Sequence, residues 1–118
     1  MDSLTLAKKI VTILDEKKGE DIRVIKISDL SVITDYFVIA GGTSNTHIKA
    51  LADEVEYVLS KEEGKKPDRV EGYQTASWIL IDYGTVIVHL FCGETRDFYD
   101  LERLWADGEE IDIQSILK

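Results

Sequence analysis

One segment of this chain has residue types that could bind a phosphate. It is the loop Gly41–Thr46, which precedes a helix-like pattern. The first turn of a helix leaves backbone N–H groups unpaired and its dipole favours anions, so such a loop could hold a phosphate group. No lysine follows the loop and its glycines are adjacent, which makes it neither a P-loop nor a dinucleotide fingerprint. The pattern favours a capped helix start over a phosphate cradle.

The metal-binding residue types are present but poorly arranged. A nucleotidyltransferase needs clustered carboxylates to hold metal ions against phosphates. Closely spaced carboxylates occur in Asp100–Glu102 and Asp107–Glu109, in a predicted helix and the tail rather than on a strand after the loop. Zinc needs three or four ligands, and besides carboxylates only His47, His89 and Cys92 are available. Cys92 falls on the opposite strand face from His89, and His47 lies near a helix start. The sequence therefore predicts no metal site, no cofactor and no catalytic residues: the chain is not expected to be an enzyme.

A predicted β-hairpin from Gly72 to Phe91 has two unequal faces. With Gly84-Thr85 as a two-residue turn, the period-2 alternation separates an apolar face from a mixed one. The apolar face pairs Tyr83 with Val86, Ile81 with Val88 and Ile79 with Leu90. The mixed face places Trp78, Leu80 and Asp82 opposite Phe91, His89 and Ile87. A face with two large aromatics, aliphatics, a carboxylate and an imidazole suits recognition of another protein.

Two interpretations of the mixed face stay open on pattern alone. Both faces of a sheet in an α/β domain are often covered by helices, so Trp78, Leu80 and Phe91 could be core under the last helix. Asp82 favours exposure, because a carboxylate is almost never fully buried without a partner. His89, diagonal to Asp82 across the hairpin, is within reach of a hydrogen bond. This pair is either an orienting or pH-sensitive interface pair or a plain surface pair.

The elements around the hairpin predict one α/β domain with a mixed sheet of about five strands flanked by helices. A first helix begins at Asp2 or Ser3 and ends at Gly19, expected in the left-handed conformation. The remaining segments are strands at 22–27 and 35–40, a second helix from the Gly41–Thr46 loop to Gly64, an edge strand at 67–71, and a last helix at 95–105 carrying Phe98, Leu101, Leu104 and Trp105. In the tail, helix and strand are equally arguable.

Composition restricts the partners and the compartment. The chain has 118 residues, enough for one domain, and a formal net charge of −9. This charge disfavours direct nucleic-acid binding, which depends on Lys and Arg, and favours a basic partner. With Cys92 as the single cysteine, no intramolecular disulfide forms and a reducing compartment is expected. No apolar run is long enough for a membrane span, so we expect a soluble, cytoplasmic protein without membrane contact.

Four segments, in a fixed order along the chain, together resemble one family. They are Asp35–Ala40 (DYFVIA), Thr43–His47 (TSNTH), Gly72–Gly84 with its WILIDYG run, and Phe98–Trp105 (FYDLERLW). In combination they resemble the ribosomal silencing factor family, also called the Iojap-related family. The resemblance covers about residues 1–108, which we take as the domain, and leaves 109–118 as a C-terminal tail.

The resemblance implies a nucleotidyltransferase-like α/β fold without an established catalytic activity. It further implies a translational repressor that binds the large ribosomal subunit through ribosomal protein fourteen and blocks joining of the small subunit. The ribosome-binding surface is expected around the segment Trp78–Tyr83. We therefore expect the partner-binding residues to be Trp78, Leu80, Asp82, Tyr73, His89 and Phe91. The alternative is a nucleotidyltransferase-like enzyme or nucleotide binder using the Gly41–Thr46 loop, and the sequence leaves open whether the chain forms a homodimer.

Overall fold

The computed structural model describes residues 1–117, apart from the side chain of Phe98, and contains helices and strands in alternation. In chain order the elements are α1 (Ser3–Glu16), β1 (Glu20–Lys26), β2 (Tyr36–Gly42), α2 (Asn45–Glu63), β3 (Arg69–Glu71), β4 (Trp78–Asp82), β5 (Val86–Cys92), α3 (Thr95–Tyr99), α4 (Leu101–Leu104), β6 (Glu109–Ile111) and α5 (Ile113–Leu117). Within these residues, no helix is both long and apolar enough to cross a membrane.

The strands form one mixed sheet in the order β3-β4-β5-β2-β1-β6. The central strands β2 and β5 run parallel, and the other neighbouring strands described here are antiparallel. This confirms the predicted α/β domain with a mixed sheet. It has one strand more than expected, because Glu109–Ile111 pairs with β1 at the edge of the sheet. The tail thus contains both a strand and a helix, the two states that the sequence left open.

The first helix ends differently from the prediction. Asp2 caps its start, where the carboxylate accepts a hydrogen bond from the Thr5 N–H at 2.8 Å. At the other end Lys18, with φ +65°, takes the left-handed conformation that the sequence assigned to Gly19. The Gly19 N–H donates to the Leu14 carbonyl at 2.7 Å, and a Cβ at Gly19 would lie 3.0 Å from that oxygen. Glycine is therefore needed here for close approach to α1.

The second helix follows the prediction at both ends. The Ser44 hydroxyl accepts a hydrogen bond from the His47 N–H at 3.1 Å, which makes Ser44 the N-cap. Gly64, with φ +64°, ends the helix in the left-handed conformation. Between the two caps, an apolar stripe of α2 is buried against the sheet.

The predicted last helix is broken into two short ones. Asp100 has φ +48°, which interrupts the helix between α3 and α4. Leu101 packs into the core, whereas Leu104, which the sequence placed on the same helix, is 72% exposed. Both leucines lie in α4, three residues apart, and Leu101 is the one that packs against the small core on that face of the sheet. The side chain of Phe98, which the sequence also placed on this helix, lies outside the described residues.

The sheet carries a separate core cluster on each face. Helices α1 and α2 cover the larger cluster, which includes Ile79, Ile81 and Leu90. The smaller cluster lies on the opposite face, next to α4, with Trp78, Leu80 and Trp105 packed at its margin. Its buried members are Ile25, Ile27, Phe37, Ile39, Ile87, Phe91 and Leu101. The mixed face of the β4–β5 hairpin belongs to this smaller cluster.

Candidate partner-binding surface

The β4–β5 hairpin has the predicted register. Gly84, with φ +85°, lies in the turn, and the Tyr83 N–H donates to the Val86 carbonyl at 2.9 Å. The cross-strand pairs are Trp78 with Phe91, Ile79 with Leu90, Leu80 with His89, Ile81 with Val88, and Asp82 with Ile87. The alternation of residue types in the sequence is therefore sufficient to separate the two faces of this hairpin.

Trp78 is half-buried and makes contacts on three sides. Its ring stacks on Phe91 with centroids 5.1 Å apart and lies 4.5 Å from the Tyr99 ring of α3. Its indole Nε1–H donates a hydrogen bond to Nδ1 of His89 at 3.1 Å. Trp78 therefore belongs partly to the small core and partly to the surface, so neither of the two interpretations given by the sequence describes it completely.

Asp82 forms its contacts with β3 and the turn, and not with His89. One carboxylate oxygen accepts the Gly84 N–H at 2.7 Å, and the other lies 3.3 Å from Nε of Arg69. Arg69 also lies 3.5 Å from a carboxylate oxygen of Glu71. The predicted Asp82–His89 pair is therefore wrong, because β3 supplies a cation beside Asp82 while His89 is held by Trp78.

A shallow groove runs beside Trp78 at this edge of the sheet. Its volume is about 320 Å³, and it is lined by Glu71, Gly72, Trp78 and Leu80. Gly72 has φ +82°, and a Cβ at this position would collide with the Trp78 carbonyl oxygen. The chain thus passes very close to β4 here, which only glycine permits. We call Trp78, Leu80, Asp82, Arg69 and Glu71, with the groove between them, the edge surface.

His89 and Phe91 lie beneath the edge surface rather than in it. His89 is 4% exposed and Phe91 is fully buried. Burial lowers the pKa of His89 to about 4, which keeps the imidazole neutral near neutral pH. Among the described residues, its Nε2 has no hydrogen-bond partner. The expectation that these two side chains contact a partner directly is corrected, because their atoms are covered by Trp78 and the residues around it.

Tyr73 lies on the other face of the sheet, against α2. Its hydroxyl donates to a carboxylate oxygen of Asp53 at 3.1 Å, and Nζ of Lys49 lies 5.4 Å from its ring centroid. The hydrogen bond to Asp53 raises the pKa of Tyr73. Of the six predicted contact residues, the structure brings together Trp78, Leu80 and Asp82 at the surface; it does not place Tyr73 with them.

Two features in and around the candidate surface were not predicted. Arg69 and Glu71 join the edge surface because β3 pairs with β4, with Arg69 opposite Asp82 and Glu71 opposite Leu80. An antiparallel register between the predicted edge strand and the hairpin would have indicated them. Nothing in the sequence indicated that Arg96 would be buried, because arginine side chains are mostly exposed.

Arg96 connects the short helices to β1. It is 7% exposed, its Nε donates to Glu102 at 3.1 Å, and its Nη1 donates to the Glu20 carbonyl at 3.4 Å. Its Nη2 lies 3.8 Å from a carboxylate oxygen of Asp21. These contacts link α3 and α4 to the start of β1, and so help to hold the cover of the small core in place.

Hydrogen bonds tie the Gly41–Thr46 loop to His47 at the start of α2. The Thr43 N–H donates to Nδ1 of His47 at 3.0 Å, while Nε2 of the same ring lies 3.0 Å from the Lys17 carbonyl. A Cβ at Gly42 would lie 2.8 Å from Cδ1 of Ile48, so this glycine permits helix packing. His47 is thus a boundary residue that joins the loop to the end of α1. Within residues 1–117, no three His, Cys, Asp or Glu side chains are grouped as metal ligands.

Comparison with known proteins gives the family. The model of the family described as "Ribosomal silencing factor during starvation" matches residues 1–118. The chain belongs to the ribosomal silencing factor family. It is 35% identical over 117 residues to the ribosomal silencing factor of Halalkalibacterium halodurans, with 99% of each chain covered. The four sequence motifs had indicated the same family, and that identification is confirmed.

The chain is also similar to a solved structure and to a mitochondrial protein. A crystal structure of a Chromobacterium violaceum protein superposes with a TM-score of 0.86 at 36% identity, covering 90% of this chain and 88% of that one. A mouse protein named "Mitochondrial assembly of ribosomal large subunit protein 1" is 35% identical over 102 residues, covering 82% of this chain and 43% of its own length. The family is one of ribosome-associated translation regulators, and its description names a regulator rather than an enzyme.

Proposed function

We propose that this chain binds the large ribosomal subunit through ribosomal protein fourteen and thereby blocks subunit joining in the cytoplasm. Membership of the silencing factor family supports a ribosomal partner. The name of the mouse relative, which refers to the ribosomal large subunit, supports the choice of subunit. Ribosomal protein fourteen is the partner that the family resemblance implies, and the edge surface is the part of this chain that we assign to it.

The observation that carries this proposal is the partly exposed Trp78 in the edge surface. Large aromatic residues beside a groove provide most of the binding energy at many protein interfaces, while the surrounding polar residues exclude water. Leu80 adds apolar area next to the ring. Asp82 and Glu71 supply two carboxylates against one cation, Arg69, and the whole chain has a net charge of −9. This chemistry fits a basic protein with an apolar patch between its cationic side chains.

The proposed mechanism is steric and stoichiometric. The domain measures 34 × 33 × 29 Å, which is far larger than the space between two surfaces in direct contact. A domain bound where the large subunit meets the small one would keep the two surfaces apart without any chemical step. Among the described residues, the structure offers no metal cluster for a phosphoryl-transfer reaction. One bound copy per large subunit is enough for this effect.

The direct test measures binding and subunit joining with the same proteins. Parent protein should sediment with large subunits and reduce light scattering from subunit association. Trp78→Ala should weaken binding by about tenfold or more, since loss of an interface anchor costs about 2 kcal/mol. Tyr57→Ala is the matched control, because Tyr57 is an aromatic residue 58% exposed on α2, on the other side of the sheet. Parent protein that leaves subunit joining unchanged at molar excess would contradict the proposal.

Two further measurements separate the alternatives. Nucleotide turnover that is lost on Ser44→Ala would favour the nucleotide-binding alternative at the Gly41–Thr46 loop. Sedimentation velocity of the protein alone measures whether it forms a homodimer. A dimer that Trp78→Ala disrupts would place a second copy on the edge surface, in competition with the ribosomal protein.

A further inference from the structure

His89 is a buried polar residue with one well-made hydrogen bond and one nitrogen without a partner. It lies on β5 directly behind Trp78 and is 4% exposed. Its Nδ1 accepts the indole N–H of Trp78 at 3.1 Å, whereas Nε2 has no partner among the described residues. The Phe37 ring packs against the imidazole at a centroid distance of 4.7 Å and an interplanar angle of 83°. The imidazole therefore has little freedom to turn.

The hydrogen bond determines the state of the imidazole. Because Nδ1 accepts a hydrogen bond from the indole N–H, the neutral ring carries its own proton on Nε2. Protonation of Nδ1 would remove the acceptor, but burial lowers the pKa of His89 to about 4 and keeps the ring neutral near pH 7. The acceptor is therefore available under physiological conditions.

Stability alone does not explain a histidine at this position. A buried N–H without a partner costs free energy, and the neighbours of His89 include the aromatic residues Phe37 and Phe91. Phenylalanine, although larger, would fill this position without burying a polar nitrogen. What phenylalanine lacks is the acceptor that faces Trp78. This difference points to the orientation of the indole as the role of His89.

The orientation of the indole decides what the edge surface presents. Trp78 is half-buried, and rotation of its ring by a half turn would move Nε1 away from His89 and expose a different edge beside the groove. The hydrogen bond to His89 favours one of these orientations before any partner arrives. A side chain that is already ordered loses less conformational entropy when it binds.

We propose that His89 is a positioning residue for partner binding, which it promotes by fixing the indole of Trp78 in the edge surface. This inference rests on the proposed function, because it assumes that Trp78 contacts the partner. His89 itself contributes no contact area to the interface. It acts through a single hydrogen bond, so removing the indole N–H should make the identity of residue 89 irrelevant to binding.

A double-mutant cycle tests this dependence. The four proteins are the parent, His89→Phe, Trp78→Phe and the double variant, each measured for binding to purified large subunits. His89→Phe should weaken binding by about fivefold in the parent, the factor that corresponds to one typical hydrogen bond. The same change should have no further effect in Trp78→Phe, which lacks the indole N–H. Equal losses in both backgrounds, or no loss in the parent, would overturn the inference.

A conservative variant and a spectroscopic measurement exclude a merely structural effect. His89→Asn retains an acceptor close to the place of Nδ1, so binding should remain within about twofold of the parent. In proton NMR spectra the indole N–H resonance of Trp78, assigned with Trp78→Phe, should shift and exchange faster in His89→Phe. The indole resonance of Trp105, whose ring contacts Phe37, should shift less than that of Trp78 and serves as the internal comparison. An unchanged Trp78 resonance would overturn the inference.

The outcomes for the two proposals are distinguishable. Parent protein that fails to bind large subunits overturns the proposed function, and the indole resonance then decides alone whether His89 orients Trp78. Parent protein that binds normally, with unaltered binding in His89→Phe, overturns the positioning role and leaves the proposed function standing.

Discussion

The two faces of the β4–β5 hairpin differ mainly in what covers them. On one face, Ile79 and Ile81 are fully buried beneath α1 and α2, which have 14 and 19 residues. On the other face, the neighbouring helices α3 and α4 have 5 and 4 residues, and Trp78 remains half-buried. A long helix hides the side chains beneath it, whereas a short pair leaves the margin of the sheet accessible. The same alternating strand pair thus provides core on one side and a candidate binding surface on the other.

This difference also explains why the small core is not uniform. Phe91 and His89 on β5 are buried, while their cross-strand neighbours Trp78 and Leu80 on β4 are partly exposed. Strand β5, nearer the centre of the sheet, is covered on this face, whereas β4, nearer the edge, is covered only in part. Exposure therefore falls across a single face from edge to centre, and one face can both stabilise the domain and bind a partner.

The largest expected effect separates the two faces by stability. Ile81→Ala removes a fully buried side chain from the large core and should lower the free energy of unfolding by about 3–4 kcal/mol, since the cavity does not collapse. Trp78→Ala removes a half-buried ring and should cost about 1–2 kcal/mol, because part of that ring is already in contact with water. Urea unfolding followed by circular dichroism measures both. Equal losses would show that the two faces are equally part of the core.

A smaller effect concerns His89 and pH. Its pKa is about 4 in the folded protein, below the ordinary 6.5, so between these values the unfolded chain binds more protons than the folded one. The free energy of unfolding should therefore fall as the pH is lowered from 7 to 5, by about 2 kcal/mol from this group. His89→Phe is the control, because it lacks the titrating group while retaining the carboxylates. Parallel pH profiles for the two proteins would argue that His89 is not buried as described.

The smallest expected effect tests whether charge or apolar contact governs the edge surface. Raising the salt concentration from about 50 to 500 mM shortens the Debye length about threefold. Association with large subunits should slow severalfold, whereas dissociation should change by less than about twofold, because steering acts on encounter. Glu71→Gln should reduce this salt dependence more than Glu16→Gln, which removes an exposed carboxylate at the end of α1. Salt-independent association would mean that the acidic surface serves solubility alone.

The local features of the fold could be predicted from the sequence with good accuracy. The end of α2, the edge position of β3 and the register of the hairpin follow from Gly64, Pro67 and Gly84, whereas the sequence left several loop residues as candidates for the N-cap that is Ser44. Errors arose where a residue was judged by its type alone. Gly19 was expected to be left-handed, but Lys18 takes that conformation because Gly19 is needed for close approach to Leu14.

The candidate site could be predicted only in part, for a related reason. Alternation identified Trp78, Leu80 and Asp82 as one face. It could not show that Asp82 would form an ion pair with Arg69, or that Trp78 would donate a hydrogen bond to His89. These partners come from β3 and β5, and hydrogen bonds across strands depend on rotamers and on burial. The break at Asp100 likewise escaped the helical pattern, which assumed an uninterrupted helix to Trp105.

The sequence by itself therefore determined the family, the α/β class and the division of the hairpin into two faces, because motif order and side-chain alternation are local properties of a chain. The tertiary structure alone decided how far each residue of the mixed face is covered. That depends on where the broken α3–α4 pair lies over the sheet and on the contacts of Arg96 with β1, Glu102 and Asp21. Burial is a property of the assembled domain, and no local pattern contains it.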